Sequence, residues 1–361
     1  MPNAMSAFTP LRAAQRLGRK LRVNVMSESL RFDMTAQGEH TAFLDCVELM
    51  ALHPDLDIHV NDRERCDLLH SHSWGPFYLL TGASYKGRRV FTVHALPETA
   101  EGALPLMNAA TRPIVRAYLT AIYNFSDVVI AVGPATAESL RRLRVRSRIE
   151  VIPNALRSDR FFPSAELRER GRILLGVADS RPLIVGVGQL QPRKGIADFA
   201  ETALRTPEAQ FIWVGGRPFG AFSAGISEIG RLMAHPPANL RFAGTFELTQ
   251  MSMIYNAADC MLFPSFQENC PYAPMEAASC GLPVIFRDLS EYRVLYETPY
   301  LAASDVAGFA GLLREILESS SLRKLHGQAS LRLAACFSPL QFIESLAQVY
   351  DQLACEKVGA S

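Results

Sequence analysis

The sequence predicts an α/β protein of two domains, and three observations carry this. At 361 residues the chain exceeds the roughly 250–300 residues at which a single hydrophobic core stops growing. Short β-branched runs alternate with segments of helical period, the pattern of parallel sheets covered by helices. That alternation breaks once, at Pro153-Asn-Ala-Leu-Arg-Ser-Asp-Arg-Phe-Phe-Pro163, a stretch with proline at both ends and a turn-prone centre, and then restarts.

In the first half, strands are expected at Leu21–Ser27, Asp57–Val60, Leu68–His72, Arg89–His94, Asp127–Val132 and Arg148–Ile152. Helices are expected at about Thr41–Leu52, Leu106–Asn124 and Ala135–Arg144. After the break, strands are expected at Pro182–Val187, Gln210–Val214, Leu240–Ala243, Cys260–Phe263 and Pro283–Phe286. The helices between and after them are Gly195–Arg205, Ala224–Ala234, Leu248–Asn256, Tyr272–Ser279, Asp305–Ser319, Ser321–Leu333 and Leu340–Leu353. The domains expected are 1–158 and 159–338, with 339–361 a helix that returns to the first. Two such domains facing across a cleft would put ligands at the carboxyl ends of their strands.

Composition sets limits on function. With 48% hydrophobic residues there is apolar surface for two cores and no segment polar enough to demand disorder. No run of about 18 apolar residues is present, so no spanning helix is expected, and the basic N-terminus (Arg12, Arg16, Arg19, Lys20) is not followed by the apolar stretch of a secretory signal. The seven cysteines form no C-x-x-C pair and read as reduced thiols of a cytoplasmic protein. A net charge of +1 argues against nucleic acid as a partner. Residues 1–160 nevertheless hold 20 Lys+Arg against 16 Asp+Glu. Arg112 and Arg116 share one helix, and Arg141, Arg142, Arg144, Arg146 and Arg148 form a second cluster, which suits either a solvated face or an anionic membrane surface.

Two motifs carry chemistry. In Gly186-Val-Gly188-Gln-Leu-Gln-Pro-Arg193-Lys194-Gly195 a strand ends, a loop follows, and two adjacent cations precede a helix. Fixed positive charge beside helix N-terminal N–H groups is an anion site fit for a diphosphate. Gln191 breaks a dinucleotide fingerprint, and the order of residues excludes a P-loop. In Phe263-Pro-Ser-Phe-Gln-Glu268-Asn-Cys-Pro-Tyr-Ala-Pro-Met-Glu276 two carboxylates lie eight apart, one in a loop and one inside a helix. They can accept bonds from sugar and ribose hydroxyls, and an acid in a segment as apolar as that around Glu276 is more often functional or paired than idle. His94 closes a strand, where either a satisfied structural histidine or a ligand contact fits. His70 and His72 face one side of another strand, but no acid or cysteine cluster completes a metal site in the sequence. No Asp-x-Asp stands where it could hold a metal beside a diphosphate, and Arg193 and Lys194 can supply that charge, so neither a metal nor a cofactor is expected.

The two motifs, in this order and separation, resemble the retaining glycosyltransferases of family 4, which have the GT-B fold of two Rossmann-like domains. The most specific part is the E-x7-E element from Glu268 to Glu276, followed by Gly281-Leu-Pro-Val. Where the family usually has glycine after the first acid, this chain has Asn269. The resemblance implies that Arg193 and Lys194 neutralise the donor diphosphate, that Glu276 binds the ribose and that Glu268 contacts the transferred sugar. It further implies that the loop Asn269–Tyr272 offers backbone donors, from Asn269, Cys270 and Tyr272 with Pro271 shaping the turn between them, and that Gly188 lies in the strand-end loop. Phe246 would lie beside the nucleobase, His94 would contact the sugar, and Gly38 would face the diphosphate, where the family commonly has a glycine pair.

Three segments, Gln191–Phe199, Phe211–Gly215 and Phe286–Tyr292, are more narrowly similar to bacterial synthases that add glucose or galactose to diacylglycerol or glucosyl-diacylglycerol at the membrane. The expectation is a hexosyltransferase taking a nucleotide-sugar, UDP-linked, to an acceptor hydroxyl on such a glycolipid, working in the cytoplasm or on the inner membrane face. A soluble sugar or polysaccharide acceptor is the alternative within the family. A nucleotide-sugar epimerase, a sensor and an NAD-dependent oxidoreductase are the rivals outside it. Ala95–Met107 is the expected acceptor-side loop.

Overall fold

The computed structural model describes residues 8–29, 38–62, 66–98, 111–178, 180–216, 226–296 and 298–358. The described residues fall into two compact units. One comprises those up to Pro97, Thr111 to Ala155, and Phe337 onward; the other comprises Glu98 and Leu156–Cys336.

The first unit holds six strands: β1 (Leu21–Met26), β2 (Leu56–Val60), β3 (Leu68–Ser71), β4 (Arg88–Val93), β5 (Val128–Ala131) and β6 (Arg148–Val151). They pair in parallel in the order β2-β1-β3-β4-β5-β6. The inner strands are buried on both faces, which is why they read as unbroken apolar runs. Helices α1 (Arg12–Leu17), α2 (Gly38–Met50), α3 (Pro76–Ala83), α4 (Arg112–Asn124) and α5 (Pro134–Arg142) flank them. α1 and α3 are not expected from the sequence. Gly75-Pro76 reads as a turn, yet proline is well suited to a first helical position, and the Glu28 carboxylate accepts the Phe77 N–H at 2.9 Å in that first turn. The expected start of α4 and most of the expected acceptor-side loop lie outside the described residues.

The second unit holds β7 (Leu183–Val187), β8 (Gln210–Val214), β9 (Leu240–Gly244), β10 (Cys260–Phe263), β11 (Val284–Arg287) and β12 (Leu301–Ala303). Its sheet is also parallel, in the order β12-β11-β10-β7-β8-β9. The helices are α6 (Ala165–Leu175), α7 (Ile196–Arg205), α8 (Ile226–Ala234), α9 (Leu248–Ala257), α10 (Tyr272–Ser279), α11 (Ser290–Leu295), α12 (Val306–Glu318) and α13 (Ser320–Ala335). Trp213, Phe199 and Phe211 meet edge to face in its core. The order of strands reverses between β7 and β10, and such a switch point is where open α/β sheets leave a crevice for a ligand.

The last helix, α14 (Pro339–Val358), belongs to the first unit. Its Ile343, Leu346, Val349, Tyr350 and Leu353 are buried in one cluster with Val23, Val25, Phe43 and Leu49. No described helix is long and apolar enough to cross a membrane.

α6 lies against α9 at Gly171, where an added Cβ would stand 2.1 Å from the Met253 carbonyl oxygen. Replacing glycine by alanine inside a helix is worth about 1 kcal/mol in propensity, but overpacking against rigid backbone costs about 1–3 kcal/mol. Gly171→Ala should therefore lower the urea midpoint of the second unit. A raised midpoint with unchanged slope would show that the helices can part at no cost.

Candidate active site

β7 and β10, the strands that flank the switch point, each end in a loop that carries one of the two motifs. After β7 the chain makes a short 3-10 turn over Pro192–Lys194, and Gly195 follows in the left-handed region with φ 71°. A Cβ there would lie 2.2 Å from the Pro264 carbonyl oxygen, in the loop after β10. Glycine at 195 thus lets the two loops touch. The contact is reinforced by Phe266 N–H, which donates to the Arg193 carbonyl at 2.8 Å, and Ser265 Oγ lies 3.1 Å from the same oxygen.

Around this contact the charged side chains converge. Lys194 Nζ donates to Glu268 Oε1, and Arg193 Nη1 lies 3.8 Å from the same oxygen. Ser265 Oγ donates to that oxygen at 2.6 Å. Arg193 is further oriented by Gln191 Oε1 at 2.9 Å and the Gln267 carbonyl at 3.3 Å. Glu268 is 8% exposed. Burial alone would push its carboxyl up, but Lys194 and then Arg193, with the hydrogen bonds from Lys194 and Ser265, hold it below the ordinary carboxylate range. Burial lowers the Lys194 ammonium, and Glu268 offsets part of that. Gly188 lies under the Lys194 stem: a Cβ would sit 3.4 Å from Lys194 Cδ. Its carbonyl accepts from Trp213 Nε1 at 3.0 Å.

Asn269, Cys270 and Pro271 continue the loop, with Cys270 and Pro271 buried, and Tyr272 opens α10. Glu276 is buried inside α10, where Tyr255 O–H donates to its Oε2 at 2.7 Å. Burial, and then the Glu276 charge, raise the Tyr255 phenol well above its ordinary value, so it remains a donor. Phe246 is half-buried just past β9, two strands from β7.

Several residues that position this site are not distinguished by sequence reading. Ser265 and Tyr255 hold the two acids, and nothing in a lone serine or tyrosine announces that. Arg287, buried at the end of β11, donates to the Pro264 carbonyl at 2.9 Å and the Ser304 carbonyl at 2.9 Å and pairs with Asp198 of α7. Its guanidinium carbon lies 3.8 Å from the centre of the exposed Phe266 ring. An arginine in an otherwise apolar strand was the available signal.

His94 and Gly38 belong to the first unit. Gly38 begins α2, exposed, with open space around its Cβ position. His94 follows β4, half-buried. The strand order of this sheet switches between β1 and β3, and polar groups gather at those two strand ends. Ser73 Oγ donates to Glu39 Oε1 at 2.7 Å, accepts from Glu28 N–H at 2.9 Å and lies 2.9 Å from Ser27 Oγ. Ser29 Oγ lies 2.9 Å from His40 Nδ1. Cys46, His70 and His72 bring three ligand-type atoms within 4.8 Å of one another, but hydrogen bonds occupy this group. His70 bonds Tyr350 Oη at 2.6 Å and Thr92 Oγ1 at 2.7 Å, and burial, helped by the Asp45 charge, pushes the Cys46 thiol up, away from a thiolate.

Burial raises the Glu39 carboxyl from 4.5 to about 7; the Ser73 hydrogen bond opposes this and the Glu28 charge adds to it. Folding therefore favours protonated Glu39. Its contribution to stability is fully present below pH 4.5 and is lost as pH rises through about 7. The urea midpoint of Glu39→Gln, relative to the parent, should rise between pH 5 and pH 8. A difference that is flat over that range would place the carboxyl at its ordinary value.

The comparisons with known proteins bear on this geometry. The family description Glycosyltransferase Family 4 matches residues 49–160, and Glycosyl transferases group 1 matches residues 181–319. An alpha-galactosylglucosyldiacylglycerol synthase of Streptococcus pneumoniae R6 is 35% identical over 306 residues, covering 83% of this chain and 80% of the relative. A processive diacylglycerol alpha-glucosyltransferase of Acholeplasma laidlawii is 24% identical over 67% of this chain and 72% of its own. Among solved structures, the Anabaena protein HepE in complex with UDP and glucose aligns over 92% of this chain and all of its own, with a TM-score of 0.73 at 15% identity. Sucrose-phosphate synthase of Thermosynechococcus elongatus aligns over 95% of this chain and all of its own, with a TM-score of 0.73 at 19% identity. Sheet order, motif placement and relatives agree: the chain belongs to glycosyltransferase family 4 and is a hexosyltransferase of the GT-B fold.

Proposed function

We propose that this enzyme transfers glucose or galactose, with retention, from a UDP-linked donor to the hydroxyl of a diacylglycerol-type glycolipid. The observation that carries the donor half is the convergence of Arg193, Lys194 and Glu268 at the switch point of the second sheet. The donor diphosphate lies against the two cations and the 269–272 backbone. Glu276 takes the ribose hydroxyls, Glu268 takes sugar hydroxyls, and Gly188 and Phe246 border the nucleotide. As the glycosidic bond breaks, charge builds on the leaving phosphate. Cations held in place by Gln191, Gln267 and Glu268 stabilise that charge without reorganising. The acceptor hydroxyl attacks from the face the phosphate leaves, and the phosphate oxygen takes its proton. His94 and Gly38 serve the substrates from the first unit.

The acceptor half rests on the two glycolipid relatives and on one surface. On α4, Arg112, Pro113, Ile114, Arg116 and Ala117 are exposed, with Ile114 69% so. Arg141, Arg142, Arg144 and Arg146 are exposed on and after α5. Arg116 and Arg146 line one hollow beside α4, and basic groups on a helix with an exposed apolar side chain suit docking on anionic headgroups at the inner face of the membrane, each cation contributing about 1 kcal/mol near such a surface.

Arg193→Ala or Lys194→Ala should lower kcat/KM on the order of 10²–10³-fold. Near-normal transfer by both would sink the diphosphate assignment. The protein should sediment with anionic liposomes and not with zwitterionic ones, and the triple change of Arg112, Arg116 and Arg146 to Glu should abolish it. UDP release from UDP-glucose or UDP-galactose that requires glucosyl-diacylglycerol supports the glycolipid reading. Release with a soluble sugar alone replaces it by a soluble acceptor, and release without acceptor points to hydrolysis or epimerisation.

A further inference from the structure

β3 and β4 run side by side in register, His70 opposite Val90 and Ser71 opposite Phe91. Side chains two apart share a face of a strand, and here the sharing continues past the sheet. His70 Nε2 bonds Thr92 Oγ1 at 2.7 Å, and two residues further on His72 Nδ1 meets His94 Nε2 at 3.0 Å. The two imidazoles lie 23° from parallel, their centres 5.2 Å apart. Behind them His70, its ring centre 4.7 Å from that of His72, is fixed on both nitrogens by Tyr350 and Thr92. His72 is therefore a buried ring in a rigid row, and its one hydrogen bond in the structure goes to His94.

A neutral imidazole carries one N–H and one lone pair. Burial takes His94 down to about 4, and burial with His70 and His94 takes His72 well below its ordinary value, so both rings are neutral at working pH and one donates to the other. If His94 were the donor, His72 would carry its proton on Nε2, a buried atom with no hydrogen-bond partner. If His72 donates from Nδ1, that same Nε2 is a bare lone pair. Orphaned buried N–H donors are rarer in folded proteins than under-used acceptors, which selects the second arrangement.

We propose that His72 is a positioning residue: its Nδ1–H donates to His94 Nε2, fixes that ring and holds it in the tautomer protonated at Nδ1. In that tautomer His94 carries its N–H at Nδ1, and with its Nε2 lone pair taken by His72 it takes no proton from the acceptor. The link to catalysis rests on the proposed role of His94 toward the sugar; the tautomer does not.

The test uses the full-length enzyme labelled with 15N-histidine, the His94 signals being identified by their loss in His94→Ala. Long-range 15N–1H spectra should show His94 Nδ1 protonated and Nε2 bare. His72→Leu should mix or reverse that pattern and lower kcat on the order of 10–100-fold, as loss of orientation does, with KM for the UDP-sugar changed less than about threefold. His72→Asn keeps a donor near the Nδ1 position and should recover most of the loss. A protonated Nε2 on His94 in the parent, or an unchanged tautomer in His72→Leu, overturns the proposal. Should His72→Leu fail to fold, the parent spectrum and His72→Asn still decide it. Full activity in His94→Ala would instead remove the reading of His94 at the sugar and leave the tautomer standing.

Discussion

The ion pair between Lys194 and Glu268 ties together the two motif-bearing loops of the second unit. Each charge is buried deeply enough that it could not stand alone, because an unpaired buried charge costs several kcal/mol. Each comes from a different loop, one after β7 and one after β10, so the pair ties the two sides of the switch point together. Everything close by follows from that tie. Gly195 lets the loops approach, Ser265 takes up the carboxylate oxygen from the side, and Arg287 clamps Pro264 from beneath. The cation of that pair is one of the two assigned above to the proposed donor diphosphate.

Most of the fold was legible in the sequence. Five of the strands in the second unit were, because buried parallel strands leave continuous β-branched runs that no other element requires. β12 was not: at three residues, Leu301–Ala303, it is too short to show a period and is defined by pairing with β11. α3 was hidden because its signal is a tertiary one, the Glu28 carboxylate at its first turn, which lies about fifty residues earlier in the chain.

The site divides in the same way. Arg193-Lys194 and Glu268…Glu276 stand out by chemistry, since charges in apolar stretches need a reason. The partners that make them work, Ser265, Tyr255 and Arg287, are ordinary residues whose roles depend on the distance across a sheet edge. The histidines at 70 and 72 were visible as a same-face pair, but what they hold was not. Thr92, Tyr350 and His94 reach them only through strand pairing and through a helix some 280 residues downstream.

That helix has a consequence for how the protein is made. The first unit buries β1 and α2 under Leu346, Val349 and Tyr350, which leave the ribosome after the whole of the second unit. A nascent chain of the first 155 residues therefore carries an uncovered apolar face while some 180 more residues are translated. The main span of the second unit, Leu156 to Cys336, is complete before that helix is made and can close first, reversing the usual order in which N-terminal domains lead. Until that helix emerges and docks, the waiting surface is what a chaperone would shield, and the His70–Tyr350 contact forms only then.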